Sequence, residues 1–384
     1  MPYLHVSSYK NVKTNFTFAP CLSGINLIMQ TSGFHIKGFD GLRALSILLV
    51  LFTHLGWYDA LPDNYFFNAL EQSITGMVGV TMFFTISGFL ITTLLLREKA
   101  KNGTINYKHF IVRRFLRLLP VLVLFYFTMC ILILTHQLNI SWVAFFISVF
   151  YGYNFVPNRL YFSELGHTWS LAVEEQFYIL WPWVVLFFKK NGLLLVALFM
   201  LALAILALIV LPTYRITFNG KSYFIGESFH ANRFFLPAIA PIMIGSIAAA
   251  LHFFYPEKLI AFCSSMVNKL LIVITMLAAF WLPDSLQTAL FLIHALCFAW
   301  VLGYIHSKQQ SLITTILEWR PLAFTGKISY GIYVWQGLFL GTGPGGKLWI
   351  QQPIQNLLLT WLVAIACYYL VEVKVLRLKK HFIA

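Results

Sequence analysis

Charge is scarce in this sequence. Only 10% of the 384 residues are Asp, Glu, Lys or Arg, and 59% are hydrophobic, against roughly 25% and 45–50% in soluble domains. A water-soluble chain of this length cannot hide so much apolar surface in one core, which leaves lipid as the solvent. Acids are scarcer than bases, 13 against 27. In so apolar a chain the excess of Lys and Arg points to membrane topology rather than to nucleic acid. Cysteine is sparse too. Cys21, Cys130, Cys263, Cys297 and Cys367 are scattered without a CxxC or metal-ligand spacing, which argues against a disulfide framework and against a metal site. A Walker-type glycine loop is absent, so no P-loop nucleotide fold competes. Residues 1–37 lack the basic-then-apolar order of a signal peptide. They read either as a disordered cytosolic tail or as a start placed upstream of the true one at Met29, and they carry no assigned chemistry.

What is present is a series of apolar runs near the ~20 residues that cross a bilayer. Ten are expected to span, at 42–57, 73–96, 115–135, 169–188, 192–211, 234–254, 267–282, 286–305, 322–340 and 356–375. A further stretch, 141–155, is short enough to be interfacial or re-entrant. Loop charge arbitrates. If 141–155 does not cross and the N-terminus is cytosolic, the inside holds Lys10, Lys13, Lys37, the bases of 97–117, Lys189, Lys190, Lys258, Lys269, Lys308, Arg320 and the tail bases Lys374 to Lys380. The outside then holds Asp59, Asp63, Glu71, Glu164, Glu227 and Asp284, with Arg159, Arg215, Lys221, Arg233 and Lys347 as its few bases. That asymmetry is the positive-inside pattern. The fold class expected is therefore all-α, a polytopic transmembrane bundle of about ten spans with both termini cytosolic.

Among the few titratable side chains inside those spans are His54, Glu174, Glu175 and His294, with Arg43, Lys327 and Glu372 nearer the edges. Such groups are costly in lipid and are usually paired or functional. Arg43 and His54 lie eleven residues apart, which is about three helical turns plus 20°, so both project from one face with a rise of about 16 Å. Glu174 and Glu175 follow Thr168 in a span that starts outside, about 9 Å below the outer edge. Counted this way, the carboxylates come within about one turn of the level of His54 in a ~30 Å core. A carboxylate there would fix the tautomer of the imidazole and raise its basicity. A helix-to-helix hydrogen bond is the plainer reading of a lone membrane His, and His294 is left with it. Glu174 and Glu175 point about 100° apart, so only one of them can face His54. Arg113, Arg114 and Arg117, at the cytosolic start of the third span, read either as a positive-inside anchor or as a bidentate grip on phosphate.

Together these residues resemble the membrane-bound acyltransferase-3 family. Gly38-Phe39-Asp40-Gly41-Leu42-Arg43 running on to His54 is similar to its opening motif of an Arg, ten residues and a His. Phe83-Phe84-Thr85-Ile86-Ser87-Gly88-Phe89 resembles its FFxxSGF signature, and Arg113-Arg114-Phe115-Leu116-Arg117-Leu118-Leu119-Pro120 its RRxxRxxP motif. His167-Thr168-Trp169-Ser170-Leu171-Ala172-Val173-Glu174-Glu175-Gln176-Phe177-Tyr178 is similar to its WSLxxEEQFY block. Ile328-Ser329-Tyr330-Gly331-Ile332-Tyr333-Val334-Trp335-Gln336 resembles ISYxxYLWH, with Val334 in the place of Leu and Gln336 where His is usual. Gln can hydrogen-bond but cannot shuttle a proton near neutral pH. The match around Arg233 is loose.

The resemblance implies a transmembrane acyltransferase domain over 38–376, followed by a basic cytosolic tail at 377–384, in a bacterial cytoplasmic membrane. It also implies transfer of an acyl group, usually acetyl, from acyl-coenzyme A to a hydroxyl of a carbohydrate or lipid-linked glycan. On that expectation Arg113, Arg114 and Arg117 hold the phosphates of acetyl-CoA and Arg43 stands at the entrance. His54 is general base, with Glu174 or Glu175 orienting it, or nucleophile. Ser87, Trp169, Ser170 and Tyr330 can donate hydrogen bonds to thioester or sugar, with helix packing and interfacial anchoring as the equal alternative. No soluble hydrolase-like segment follows, so transfer is expected to finish within the bundle or with a partner. A proton-coupled transporter or glycan flippase is the rival class, although no halved repeat is visible. A non-catalytic partner in glycan synthesis is a third. Dependence on coenzyme A separates them.

Overall fold

The structure is a computed structural model that describes residues 36–56, 75–213, 216–218, 221–224, 227–279, 287–343 and 345–378. The expected N-terminal tail, the outside acids Asp59, Asp63, Glu71 and Asp284, and tail residues 379–384 lie outside the described residues. In chain order the helices are α1 (Phe39–His54), α2 (Gly76–Asn102), α3 (Tyr107–Leu134), α4 (Trp142–Val149), α5 (Thr168–Phe187) and α6 (Lys190–Thr213). They continue as α7 (Ala240–Phe254), α8 (Pro256–Ser264), α9 (Met266–Ala279), α10 (Gln287–Ser307), α11 (Leu312–Leu317), α12 (Arg320–Leu340), α13 (Gln355–Cys367) and α14 (Val373–Leu378). A π turn, Tyr368–Glu372, joins the last two. The exception to helix is a small antiparallel sheet between α6 and α7, with β1 (Ile216–Phe218), β2 (Lys221–Phe224) and β3 (Glu227–Ser228) in the order β1-β2-β3.

Each of the ten expected runs coincides with a helix; at 234–254 a turn, Phe235–Ala238, precedes α7. Among the described residues five helices are long and apolar enough to cross a bilayer, and a sixth is added if α8 and α9, bent by 66°, form one span. The rest are shorter or more polar. Helix α1 has 16 residues, about 24 Å. The stretch at 141–155 forms the eight-residue α4, about 12 Å long and too short to cross. Phe127, Phe187, Leu195 and Phe199 are 62–70% exposed. Outward-facing side chains of this kind suit lipid and would be a liability in water. The chain is an integral membrane protein.

Two packing registers position the interior. Helix α1 runs antiparallel to α2: Thr53 lies against Gly76, Ser46 against Gly79, and the rings of Phe39 and Phe89 are 5.8 Å apart. Helix α5 runs parallel to α2. Ser87 bonds Glu174, Thr92 accepts from the Trp181 indole at 2.8 Å, and Lys99 donates to the carbonyls of Val185, Leu186 and Phe188 at 2.7–3.0 Å. Lys99 thus closes the carbonyl end of α5, where no intrahelical partner remains. Helices α2 and α7 cross with backbones touching, because Gly88 faces the Ile242 carbonyl and Gly245 faces the Thr85 carbonyl. Small residues at the contact allow this approach in lipid, where packing rather than hydrophobic burial holds helices together.

Leucine at 245 therefore has to push α7 off α2. Gly245→Leu is expected to cost at least about 1–3 kcal/mol from overpacking. Thermal unfolding in detergent should show a clear drop in midpoint, and an unchanged midpoint contradicts the crossing.

Candidate active site

The two registers bring α1, α2, α3, α5 and α12 around one partly open cavity, whose empty space together with the solvent at its mouth is about 720 Å³. Its charged wall is Arg43, Arg114, Arg117 and Glu174, and its polar wall includes Ser87, Ser170, Tyr178, Ser329, Tyr330 and Tyr333. Three guanidiniums thus face one carboxylate. Arg43 is held at 3.0 Å by Asp40, one turn earlier on the same helix. Arg114 lies over the rings of Phe110 and Tyr178, 5.6 and 5.2 Å from their centroids. Neither Arg114 nor Arg117 makes a hydrogen bond or ion pair among the described residues, so their N–H groups are available to an anion.

Glu174 accepts from the Ser87 hydroxyl at 2.7 Å and from the Tyr178 hydroxyl at 3.4 Å. Tyr178 stands four residues after Glu174, so both occupy one helix face. Glu175 points elsewhere. It is within electrostatic reach of Arg114 but forms no hydrogen bond among the described residues. Arg113 also leaves the cluster, because one helical step turns it away from Arg114. Its guanidinium binds Glu98 at 2.9 Å, outside the cavity wall. The Tyr330 hydroxyl donates to the Leu118 carbonyl at 2.9 Å, and the hydroxyls of Ser170 and Tyr333 share a bond of 2.5 Å. Trp169 is buried edge-on to Phe84, 5.9 Å between centroids.

His54 is half-buried at the far end of α1, and no described hydrogen bond joins it to Glu174 or Glu175. Its level is that of Gly76, whereas Glu174 is level with Ser87, eleven residues along α2. That is an axial offset of about 16 Å. The depth count from sequence fails because α5 does not begin at the outer edge. The preceding segment folds into the protein: Ser148, Asn154, His167 and Thr168 are buried, and the Ser148 hydroxyl donates to Thr168 at 2.9 Å. The imidazole has a different tether, in which His54 Nδ1 lies 2.8 Å from the Val50 carbonyl oxygen. A carbonyl only accepts, so the proton sits on Nδ1 and Nε2 is left with its lone pair.

Sequence reasoning assigned no role to His167, Tyr333 or Tyr178. His167 is within electrostatic reach of His54. It packs against the rings of Phe125 and Tyr333, 5.3 and 5.7 Å away, and Gly337 makes room for it. Among the described residues no well-aligned hydrogen bond reaches either ring nitrogen; the Glu164 carbonyl is the nearest acceptor beside the ring. At the π turn, Glu372 is buried within electrostatic reach of Arg117, with one oxygen unpartnered.

Residues 36–372 match the family described as an acyltransferase domain. "Putative peptidoglycan O-acetyltransferase YrhL" of Bacillus subtilis is 27% identical over 78% of this chain and 48% of its own length. "Putative O-acetyltransferase SACOL0978" of Staphylococcus aureus is 29% identical over 78% and 50%. Peptidoglycan O-acetyltransferase OatA of Listeria monocytogenes is 28% identical over 78% and 49%. The chain spans about half the length of these relatives. No solved structure matches it.

The Ser87–Glu174 bond joins two helices inside the cavity, so its worth can be measured. Ser87→Ala should lower unfolding stability by about 1–3 kcal/mol and much less in a Glu174→Gln background, a coupling above about 0.5 kcal/mol. Additive losses in a detergent unfolding cycle contradict the bond.

Proposed function

The chain belongs to the acyltransferase-3 family, and from that premise we propose that it is an O-acetyltransferase moving acetyl from cytosolic acetyl-CoA to a hydroxyl of a cell-surface or exported carbohydrate. The proposed setting is a bacterial cytoplasmic membrane, crossed about ten times with both termini in the cytosol. The relatives' names support the acyl chemistry and a glycan acceptor. The observation that carries the reading is the excess of guanidinium over carboxylate in a cavity on the face of α1 that also bears His54.

The donor is a substrate, and the residues present fit it. Arg114 and Arg117, with unspent N–H groups, suit its phosphates, and Arg43, already oriented by Asp40, completes the positive wall. Glu174 spaces the three cations and limits their mutual repulsion, which in this low-dielectric setting is strong. From Arg43 to His54 the rise along α1 is about 16 Å. A pantetheine arm has the reach of four to five extended residues, about 15 Å, which brings the thioester to the level of the imidazole. His54 Nε2, free because Nδ1 is tied to Val50, then acts in one of two ways. As base it takes the proton of the acceptor hydroxyl while that oxygen attacks the thioester carbon and the thiolate leaves. As nucleophile it attacks the carbon itself and expels the thiolate; the acetyl then passes from nitrogen to the sugar oxygen as the thiolate takes up the hydroxyl proton. Ser170, Tyr330 and Trp169 have backbone or side-chain partners in the resting protein. Their proposed part is to shape the passage between donor and acceptor.

One assay separates binding from chemistry. His54→Ala should lower acetyl transfer by about 10²–10⁴-fold with coenzyme A affinity retained. Arg114→Gln should raise KM for the donor at least about tenfold with a smaller change in kcat, whereas Arg113→Gln, outside the cavity, should change KM little. Wild-type turnover in His54→Ala overturns the reading.

A further inference from the structure

At the end of α5 away from Arg114 stands an arginine that the donor reading does not use. Arg233 closes the short turn Ala231–Arg233 ahead of α7. Its guanidinium carbon lies 4.7 Å from the centroid of the Tyr161 ring and 5.7 Å from that of Trp169. The residue is half-buried; its backbone N–H donates to the His230 carbonyl at 2.9 Å, and among the described residues its guanidinium makes no hydrogen bond or ion pair. Glu164, an acid of the same region, forms no salt bridge with it. The two ring faces attract the cation through their quadrupoles. They also fix the plane of the guanidinium and leave its five N–H donors pointing past them. A half-buried guanidinium held by ring faces, which accept no hydrogen bond along its edges, keeps its charge-assisted donors for an anion.

Its surroundings say what would complete it. Trp169 packs on Phe84, and the next residue, Ser170, bonds Tyr333; Phe84, Ser170 and Tyr333 all line the donor cavity. Arg233 therefore stands behind Trp169, across that wall from the cavity. Trp169 and Trp183, fourteen residues apart on α5, place this end about 21 Å from the end beside Tyr107. An acceptor approaching the thioester from the side opposite the arginine cluster would meet Arg233 first.

We propose that Arg233, clamped by Tyr161 and Trp169, anchors an oxyanion, a carboxylate or phosphate, carried by the acceptor carbohydrate, so that acidic sugars are favoured over neutral ones. This deepens the transferase reading by naming the acceptor class, and only its turnover test rests on that reading.

Binding is measured on the full chain in nanodiscs of zwitterionic lipid, by saturation-transfer NMR. The probes are two N-acetylhexosamines that differ only in a carboxylate-bearing ether substituent. Wild type should bind the acidic sugar at least about tenfold more tightly. Arg233→Gln should abolish the preference, and Arg233→Lys, which keeps the charge without the planar fork, should restore part of it. Equal binding of both sugars by wild type, or an undiminished preference in Arg233→Gln, overturns the proposal. So does loss of the preference when phosphatidylglycerol is added to the discs, which would assign the site to lipid phosphate. In a parallel acetyl-CoA assay, a persisting acidic preference without transfer to any sugar sinks the transferase reading and spares the anion site. Equal transfer to both sugars does the reverse.

Discussion

The interior is organised around one carboxylate. Glu174 is the single acid among the described residues of a wall that carries Arg43, Arg114 and Arg117, in a part of the protein where water cannot screen charge. Lipid-embedded ions persist only when other protein groups answer them. Glu174 does so by tying α5 to α2 through Ser87 and by standing between cations that α1 and α3 bring together. The packing follows from holding those helices at that spacing. Gly88 and Gly245 let α7 close against α2 behind the cavity, and Lys99 fixes the depth of α5 by seizing its last carbonyls. The arrangement keeps more positive than negative charge, as a receptor for a multiply charged anion must.

Much of this was legible in the chain. The apolar runs marked every one of the ten helices that carry the core, because periodicity and length survive tertiary packing in lipid better than in water. Ser87 and Glu174 were visible as polar residues in apolar segments. A depth count brings His54 level with Glu174 only if Thr168 stands at the membrane surface, and Thr168 is buried. Chain folded back through α4 sinks the start of α5, and only the register of three contacts along α2 reveals the true level. The splitting of Arg113 from Arg114 follows from a 100° helical step that a motif written in a line conceals. Tyr178 could have been found, since it lies four residues beyond Glu174 on the same face. His167 and Tyr333 carried no such signal, because their meeting depends on Gly337 in a helix far away in sequence.

Separating Glu174 from His54 changes the division of labour. The carboxylate lines the arginine-rich cavity, and the imidazole takes its tautomer from its own helix through Val50. In the proposed transferase two chemistries are thereby kept apart along α1, with phosphate recognition at one end and proton or acyl handling at the other. An arm of fixed length is then the measure of the site, and a donor too short to reach from the arginines to His54 would bind without reacting.

The decisive measurement is an experimental structure of the protein with coenzyme A bound. The account predicts the phosphates on Arg114 and Arg117 and the sulfur about 3.5 Å or one acyl group's width from His54 Nε2, the distance of a reactive encounter. Coenzyme A seated with its phosphates away from those guanidiniums, or with its sulfur pointing away from His54 toward lipid, would contradict it.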